Sequence, residues 1–401
     1  MSLLETLDRQ ECWEKYYKYK TSLAFPARDA EELRRFIDRR DYLPAAERIR
    51  AGEAFPLPEK RILMKQGSEK KRTVYIYPKN ENTVLKLLTY LLIRKYDGLF
   101  DDSLYSFRAG KSAKDAVKRF RSLPGIDRMY SYKTDISNYF NSIPMERFLP
   151  MLEETLAGDP ELFSFLKRIL AEERVLFEGN ELREQKGIMA GCPLASFFAN
   201  LYLRELDHSF TARGIPYARY SDDIIVFAES RERVETYAEE IRAFLAARGL
   251  AVNPAKEVLG TPEEGFVFLG FIVKGGETDI APASVMKLKK KMRRKARALL
   301  RWRLRNDIEG EKAGRAFVRI FNRKLLESSF DRDLSWSGWF FSMITTTESL
   351  HEIDLYAEDC LRYLVSGRRT KARYNVRYED LKKLGFRSLV HAYYEYEGNV
   401  K

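Results

Sequence analysis

Tyr220-Ser221-Asp222-Asp223 places two adjacent carboxylates between two short, apolar, β-prone runs at 215–219 and 224–227. This pattern predicts a β-hairpin with Ser-Asp-Asp at its tip. Two neighbouring carboxylates repel each other unless a cation lies between them, so the pair suggests a site for a hard metal ion such as Mg²⁺. Taken alone, the pair has a simpler explanation, because Asp is common at turns for local hydrogen-bonding reasons.

The composition indicates a folded, basic protein. A chain of 401 residues is too long for one ordinary core, which predicts two or three subdomains, and 45% of the residues are hydrophobic. Lys and Arg total 71 against 59 Asp and Glu, a net charge of +12. An excess of this size favours a polyanionic partner, meaning nucleic acid or an anionic membrane.

A membrane or secretory role is disfavoured by the sequence. The longest near-continuous apolar run, 84–93, is too short to span a bilayer, and residues 1–20 lack the apolar segment of a signal peptide. The three cysteines, Cys12, Cys192 and Cys360, are scattered and odd in number, which is typical of a reducing cytosol. We therefore expect a cytoplasmic protein with no membrane partner.

The order of strand and helix patterns predicts an α+β protein. Strands are expected near 131–135, 215–220, 224–228 and 266–273, and helices alone after residue 283. We expect N-terminal helices and a basic hairpin in 1–130, a mixed α/β core in 131–276, and a helical part in 277–401. The core should carry an insertion at about 145–185, and Lys274-Gly275-Gly276 marks the last boundary.

A second acidic strand, Tyr132-Lys133-Thr134-Asp135, precedes Asp222 by 87 residues. Asp135 alone is typical of a turn or a helix N-cap. Beside Asp222 and Asp223, however, it would complete the carboxylate cluster that two divalent ions need. Between the two acidic strands, a glycine-bearing loop at 187–191 leads into a helix predicted over 195–210, and the glycines of the loop allow close backbone approach to a ligand.

These three segments, in this order and at these separations, resemble motifs A, B and C of reverse transcriptases. Residues 104–112 resemble the Gly-Phe-Arg-x-Gly element of prokaryotic members, with Ser106 where Gly is usual. Residues 249–256 resemble motif D, and 268–271 the primer-grip motif E. The resemblance covers most of the chain. It implies a right-hand polymerase with mixed α/β fingers and palm, an antiparallel palm sheet with the catalytic hairpin, and an all-α thumb.

The resemblance also implies roles for the residues of the catalytic site. Asp135 and Asp222 would be the principal ligands of two Mg²⁺ ions, with Mn²⁺ as the alternative ion, and the carbonyl of Ile136 and the carboxylate of Asp223 would complete the site. Lys256 of motif D would protonate the pyrophosphate leaving group, a role that general acid catalysis makes chemically reasonable.

Four further residues would contact the incoming nucleotide. Phe140 matches the bulky steric gate that excludes a ribose 2′-hydroxyl, and its alternative is a core aromatic. Lys65 and Arg72 are candidates to hold the triphosphate, and the planar fork of Arg72 suits phosphate oxygens better. Gly191 would let motif B approach the nucleotide. Many relatives carry Gln where this chain has Ala190, so the contact of that Gln is absent or replaced here.

Residues 287–305 contain eleven basic side chains and no acidic one, so the helix is expected to be basic on nearly every face. Such a helix favours a nearby polyanion and fits a thumb helix along a template–primer duplex. The predicted contacts are Lys287, Lys290, Lys291, Arg294, Arg297 and Arg301. A second basic run at 362–377 is interleaved with tyrosines, which indicates another nucleic-acid contact or, alternatively, a solvated surface.

The chain shows no endonuclease or ribonuclease H signature, and it is similar to stand-alone prokaryotic reverse transcriptases of anti-phage defence, within the group II intron and retron-like superfamily. Its C-terminal segment 378–389 also resembles that group. The resemblance implies an enzyme that uses dNTPs and a primer to copy a dedicated non-coding RNA into DNA. The open alternatives are a mobile-retroelement polymerase, an RNA-dependent RNA polymerase with the same palm, and an RNA-binding scaffold with an idle palm.

Overall fold

A computed structural model describes residues 2–23, 25–64, 71–327 and 336–400. The chain forms two compact units, Met1–Glu264 and Gly265–Lys401. The division into three parts at residues 130 and 276 stays a prediction. None of the described helices combines the length and the apolarity needed to cross a bilayer.

The first unit has a helical layer around an aromatic core. Trp13 is fully buried and stacks on Tyr42 with ring centroids 4.8 Å apart. The apolar run at 84–93 lies within a core helix and buries Val84 and Leu88 completely. The helices of this unit are Gln10–Thr21 (α1), Ala27–Asp38 (α2), Leu43–Arg50 (α3), Lys79–Lys95 (α4), Ala113–Arg121 (α5), Tyr139–Ser142 (α6), Met145–Thr155 (α7), Pro160–Ala171 (α8), Ala195–Tyr202 (α9), Arg204–Ala212 (α10) and Arg231–Ala247 (α11).

One four-stranded sheet joins the N-terminal hairpin to a second hairpin at 174–183. The N-terminal hairpin strands pair antiparallel, and the first of them also runs parallel to the first strand of the second hairpin, with Glu59 opposite Leu176. The strand order is β2-β1-β4-β5. The strands are Glu59–Met64 (β1), Lys71–Ile76 (β2), Arg174–Phe177 (β4) and Asn180–Arg183 (β5), and Tyr130–Asp135 (β3) belongs to the next sheet.

A second, fully antiparallel sheet carries the acidic hairpin in the order β6-β7-β3-β8. Its remaining strands are Tyr217–Tyr220 (β6), Asp223–Ala228 (β7) and Val258–Gly260 (β8). The apolar run at 224–227 is buried on both faces of the sheet. Helix α11 packs against β3 and β7, and the ring of Phe120 from α5 lies 4.7 Å from that of Phe227. The sheet is therefore a rigid support for the hairpin tip.

The second unit begins with a small antiparallel sheet and continues with helices. Its strands are Phe266–Phe268 (β9), Phe271–Lys274 (β10) and Glu277–Ile280 (β11). The single strand predicted over 266–273 is wrong, because Leu269 and Gly270 have φ values of +49° and +92° and turn the chain back on itself. The helices are Pro282–Arg305 (α12), Gly310–Leu325 (α13), Trp336–Phe341 (α14), Glu348–Ser366 (α15), Tyr378–Lys383 (α16) and Leu389–Val400 (α17).

Helix α12 is amphipathic, which differs from the expectation of basic residues on nearly every face. It buries Val285, Leu288, Met292, Ala296 and Leu299, whose spacing of three or four residues forms one apolar stripe. This stripe packs against α13 and α15, so hydrophobic contacts hold the helix in place. The predicted α+β architecture is confirmed: antiparallel sheets carry the acidic hairpin, and only helices follow residue 282 in the described chain.

Candidate active site

The register of the second sheet brings three carboxylates together. Strands β3 and β7 pair so that Asp135 lies directly opposite Asp223, and Asp222 occupies the hairpin tip beside them. One carboxylate oxygen from each residue lies within 4.8 Å of the other two. The chain therefore unites, through strand pairing, residues that are 87 positions apart in the sequence.

Backbone hydrogen bonds hold the hairpin tip in a fixed position. Ser221 has a φ of +60°, the backbone conformation that two-residue hairpin turns require. The N–H of Ile136 donates to the Asp222 carbonyl at 3.1 Å, and the N–H of Asn253 donates to the Asp135 carbonyl at 2.7 Å. These bonds link motif A both to the tip and to motif D.

The electrostatics of the cluster favour a bound cation. Desolvation, and then the charge of Asp135, raise the pKa of Asp222. Desolvation, and then the charge of Asp222, raise the pKa of Asp223 to about 6. Burial and like charge both penalise ionised carboxylates, and a divalent cation would relieve both. An all-carboxylate donor set is also the chemistry that Mg²⁺ prefers, so these residues fit that ion.

Lys256 adds a positive charge at the same place. It ends a 3₁₀ turn at Pro254–Lys256, where the side chain of Asn253 accepts the N–H of Ala255 at 3.3 Å. The ammonium of Lys256 donates a hydrogen bond to the carboxylate of Asp135, while about half of its side chain remains exposed. The residue assigned to proton transfer thus lies at the carboxylate cluster and offsets one of its negative charges.

A buried ion pair between Arg219 and Asp207 supports the hairpin, and the sequence alone did not predict it. Arg219 of β6 is fully buried, and its Nε and Nη2 donate to the two oxygens of Asp207 at 2.8 and 2.6 Å. Its Nη1 donates to the carbonyl of Ser221 at 3.2 Å, and the Tyr217 hydroxyl donates to Asp207 at 2.9 Å. The sequence did contain a signal for this pair, because an arginine within a β-prone run would be buried and a buried charge requires a partner.

Ser106, the departure from the family pattern, also supports the hairpin. Its hydroxyl accepts the N–H of Ser221 at 2.8 Å and donates to the side-chain oxygen of Asn200 at 3.2 Å. The amide nitrogen of Asn200 donates back to the Ser106 carbonyl at 2.8 Å. A glycine at position 106 would keep the carbonyl contact but has no hydroxyl to bind Ser221 and the Asn200 oxygen, so this chain holds its hairpin tip through a bond of its own.

The motif B loop crosses directly over motif A. The N–H of Ile188 donates to the Phe140 carbonyl at 2.8 Å. Gly187 has a φ of +53°, and a Cβ at this position would lie 2.5 Å from the same carbonyl oxygen. A glycine is therefore required at 187, a residue that our sequence analysis did not assign individually.

Asn141 ties this loop to the N-terminal hairpin. Its side-chain oxygen accepts the N–H of Ala190 at 2.9 Å, and its amide nitrogen donates to the carbonyl of Thr73 on β2 at 3.3 Å. The Ala190 carbonyl in turn accepts the N–H of Tyr75 at 2.7 Å. A Cβ on Gly191 would come within 3.1 Å of the Val74 side chain, so Gly191 lies tightly against β2.

The two aromatics of motif A occupy different environments. Tyr139 is 2% exposed, and its hydroxyl donates to the Ala199 carbonyl at 2.5 Å. Phe140 is only partly buried. Tyr139 is therefore the core aromatic, and Phe140 is the accessible ring of the pair.

The remaining predicted contacts lie on exposed surfaces. Arg72 stands at the exposed start of β2, opposite Leu63, whereas Lys65 lies outside the described residues. On α12, Lys291 is half-buried, and desolvation and then the charges of Lys287 and Lys324 lower its pKa. The other predicted residues of this helix are exposed, namely Lys287, Lys290, Arg294, Arg297 and Arg301.

Comparison with known protein families gives one match that covers half of the chain. The model described as "Reverse transcriptase (RNA-dependent DNA polymerase)" matches residues 63–273. A curated relative, the retron Ec86 reverse transcriptase of Escherichia coli, is 22% identical over 233 residues, which cover 57% of this chain and 67% of that protein.

Among solved structures, the chain is similar to two fungal telomerases. The apo telomerase of Candida tropicalis truncated from its C-terminal domain matches with a TM-score of 0.45 and 12% identity, and the match covers 56% of this chain and 55% of that one. The telomerase of Candida albicans in complex with a fragment of telomeric RNA matches with a TM-score of 0.46 and 11% identity, over 90% and 68% of the two chains.

Proposed function

This chain belongs to the reverse transcriptase family of RNA-dependent DNA polymerases, and from that premise we propose that it copies a dedicated, structured non-coding RNA into DNA in a prokaryotic anti-phage defence system. The observation that carries the catalytic part is the convergence of Asp135, Asp222 and Asp223 within the matched segment. The retron relative and the resemblance of 378–389 to defence-associated enzymes support the biological part. The proposed location is the cytoplasm.

In the proposed reaction, Asp135, Asp222, Asp223 and the Ile136 carbonyl would hold two Mg²⁺ ions. Mg²⁺ held there would supply a lowered pKa for the attacking hydroxyl and charge neutralisation for the leaving group. The three carboxylates are preorganised by strand pairing and by the buried Arg219 beneath the tip. Preorganised groups need little reorganisation during the reaction, which is the main physical source of rate enhancement in such sites.

The chain's own residues would then position the substrates. Lys256, already at the cluster, supplies a proton to the pyrophosphate leaving group. Phe140 limits space at the sugar, Gly191 lets the motif B backbone approach the nucleotide, and Arg72, with Lys65, holds the dNTP triphosphate. The primer–template duplex lies along α12, where its phosphates contact Lys287, Lys290, Lys291, Arg294, Arg297 and Arg301.

The experiment is primer extension with the full chain, an RNA template, an annealed DNA primer, dNTPs and Mg²⁺. We expect Asp222→Ala to abolish nucleotide incorporation, because it removes a metal ligand, while RNA binding measured by fluorescence anisotropy stays nearly unchanged. Asp127→Ala is the matched control, since Asp127 is an exposed carboxylate. Loss of both incorporation and RNA binding in Asp222→Ala would contradict the catalytic role and indicate a folding role for the hairpin tip.

The biological part has its own test. Sequencing the nucleic acids that co-purify with the protein, before and after phage challenge, should recover one abundant non-coding RNA together with complementary DNA. Complementary DNA of the protein's own coding element would instead identify a mobile-retroelement polymerase. Incorporation of ribonucleotides in preference to dNTPs would identify an RNA-dependent RNA polymerase.

A further inference from the structure

A cavity of 290 Å³ lies within the second unit, between α12, α15 and a 3₁₀ turn at Lys371–Asn375. It coincides with the second basic run, which the proposed polymerase function does not use. Its wall combines guanidinium groups with tyrosine rings, namely Arg293, Arg297, Tyr356, Tyr363, Arg369 and Arg373.

The cavity has an excess of positive charge. Its one acidic lining residue, Asp359, accepts a hydrogen bond from Nε of Arg373 at 2.7 Å, so these two charges offset each other. Across 2–23, 25–64, 71–327 and 336–400, no carboxylate forms an ion pair with Arg293, Arg297 or Arg369. Three guanidinium groups around one cavity attract an anion, and their planar forks suit phosphate oxygens.

The aromatic part of the wall suits a nucleobase. Tyr356 and Tyr363 are seven residues apart on α15, which places both half-buried rings on one face of the helix. The guanidinium of Arg369 lies 5.6 Å from the centre of the Tyr363 ring. The floor is formed by Cys360, whose thiol stays neutral because burial raises its pKa to about 12. Aromatic and guanidinium planes over a neutral floor are the surfaces on which unpaired bases stack.

Helix α12 carries this cavity and most of the predicted duplex surface on different edges, with Arg297 belonging to both. Lys289 forms an ion pair with Glu352 and lies 5.3 Å from the Tyr356 ring, so the edge with Arg293 and Arg297 faces α15. Lys291 instead lies near Lys324 of α13. The two edges can therefore contact two different segments of nucleic acid.

We propose that the cavity binds a single unpaired nucleotide of an RNA strand, with its base against Tyr356 and Tyr363 and its phosphate at Arg293, Arg297 and Arg369. This inference rests on the proposed function, because a structured RNA template supplies unpaired nucleotides in loops and bulges. The volume of 290 Å³ is close to the lower end of small-ligand sites, roughly 300–1,000 Å³, which fits one nucleotide. Arg297 is shared with the duplex surface.

The first test compares two double variants of the full chain that lose the same charge. We expect Arg293→Gln with Arg369→Gln to weaken binding of a short fluorescent oligoadenylate. Each phosphate contact to a single strand contributes roughly 0.7 to the slope of log K against log salt, so losing the one phosphate held in the cavity should lower the slope by up to that amount. Lys312→Gln with Arg319→Gln, at exposed residues of α13 outside both the cavity wall and the second basic run, should leave the slope unchanged. Equal slopes for the two double variants would overturn the proposal.

The second test concerns the aromatic wall and the source of the nucleotide. Tyr363→Ala should weaken oligoadenylate binding roughly tenfold, because one stacking surface is lost, whereas Tyr363→Phe should bind like the wild type. Equal affinity of the two tyrosine variants for oligoadenylate would contradict the stacking of a base in the cavity. Free AMP should compete only weakly, because it lacks the flanking phosphates. Displacement of the RNA by stoichiometric AMP would overturn the assignment to a strand and identify a free-nucleotide site.

The same variants separate this inference from the proposed function. Arg293→Gln with Arg369→Gln alters neither the carboxylate cluster nor motif B, so its result can be compared with primer extension on a short preformed duplex. Suppose that the wild type extends primers but the two double variants bind oligoadenylate equally well. This result would contradict only the proposed nucleotide site in the cavity. Suppose instead that the wild type extends no primer but the two double variants differ in oligoadenylate binding. This result would contradict only the proposed polymerase function.

Discussion

Phe140 and Tyr139 show how two adjacent aromatic residues take different roles. Tyr139 is anchored in the core through its hydroxyl, whereas Phe140 is partly accessible beside the motif B loop. Only the accessible ring can contact a substrate sugar. Sequence alone left Phe140 with two interpretations, a steric gate or a core aromatic, because aromatic character does not reveal the direction of a side chain.

We predict that Phe140→Ala reduces discrimination against ribonucleotides. Removing the ring would open space for a 2′-hydroxyl. A pocket that excludes one extra hydroxyl group by shape discriminates between substrates by roughly 100-fold in kcat/KM, and this preference should be lost. The measurement is the ratio of kcat/KM for a dNTP to that for the matching rNTP. Phe140→Tyr keeps the bulk of the ring and should keep the preference. An unchanged ratio in Phe140→Ala would show that another residue is the gate.

At the scale of elements, the catalytic hairpin depends on support from outside its own two strands. Asp207 of α10 binds the guanidinium of Arg219, a residue of β6 itself, and Arg219 in turn donates to the Ser221 carbonyl at the tip. The hydroxyl of Ser106 holds the same turn from another segment. The hairpin is therefore held by buried polar contacts from two sides, which explains how three repelling carboxylates stay close together.

We predict that Asp207→Ala strongly destabilises the protein. It leaves the fully buried guanidinium of Arg219 without its partner, and breaking a buried ion pair in this way costs about 3–5 kcal/mol. The free energy of unfolding from urea titration, followed by circular dichroism, measures this cost. Glu240→Ala removes the partner of the exposed Arg213 and should cost less than about 1 kcal/mol. Similar costs for the two variants would contradict a special role for the buried pair.

At the scale of the whole molecule, basic charge is concentrated on a helix that hydrophobic contacts already hold in place. The apolar stripe of α12 packs on α13 and α15, and this leaves cationic side chains such as Lys287, Lys290 and Arg294 exposed to a partner. The helix therefore needs no polyanion in order to fold. Its charge is available for binding, which is consistent with the net charge of +12.

We predict that Lys287→Gln, Lys290→Gln and Arg294→Gln together weaken duplex binding and flatten its salt dependence. Each duplex phosphate contact contributes about 0.9 to the slope of log K against log salt, so the slope should fall by about 2.7. A control that neutralises Arg28, Lys167 and Arg233 removes the same charge from exposed positions of the first unit. If the triple variant of α12 and the control had the same slope, the result would contradict a role for α12 in duplex binding.

The sequence by itself was sufficient for the local chemistry of this protein. Asp135 at the end of one strand and Asp222-Asp223 at a hairpin tip were predictable, because alternation and turn residues are properties of short segments. The α+β class followed from the same local patterns. The break at Leu269-Gly270 was missed, since the apolar run around it resembles one continuous strand.

Only the tertiary structure decided which distant residues meet. The pairing of Asp135 with Asp223, the bond from Lys256 to Asp135 and the ion pair of Arg219 with Asp207 all depend on strand register and helix packing. The arginine cavity of the second unit likewise needs α12 and α15 side by side. Such contacts are set by burial summed over the whole chain, and no single segment of sequence contains that information.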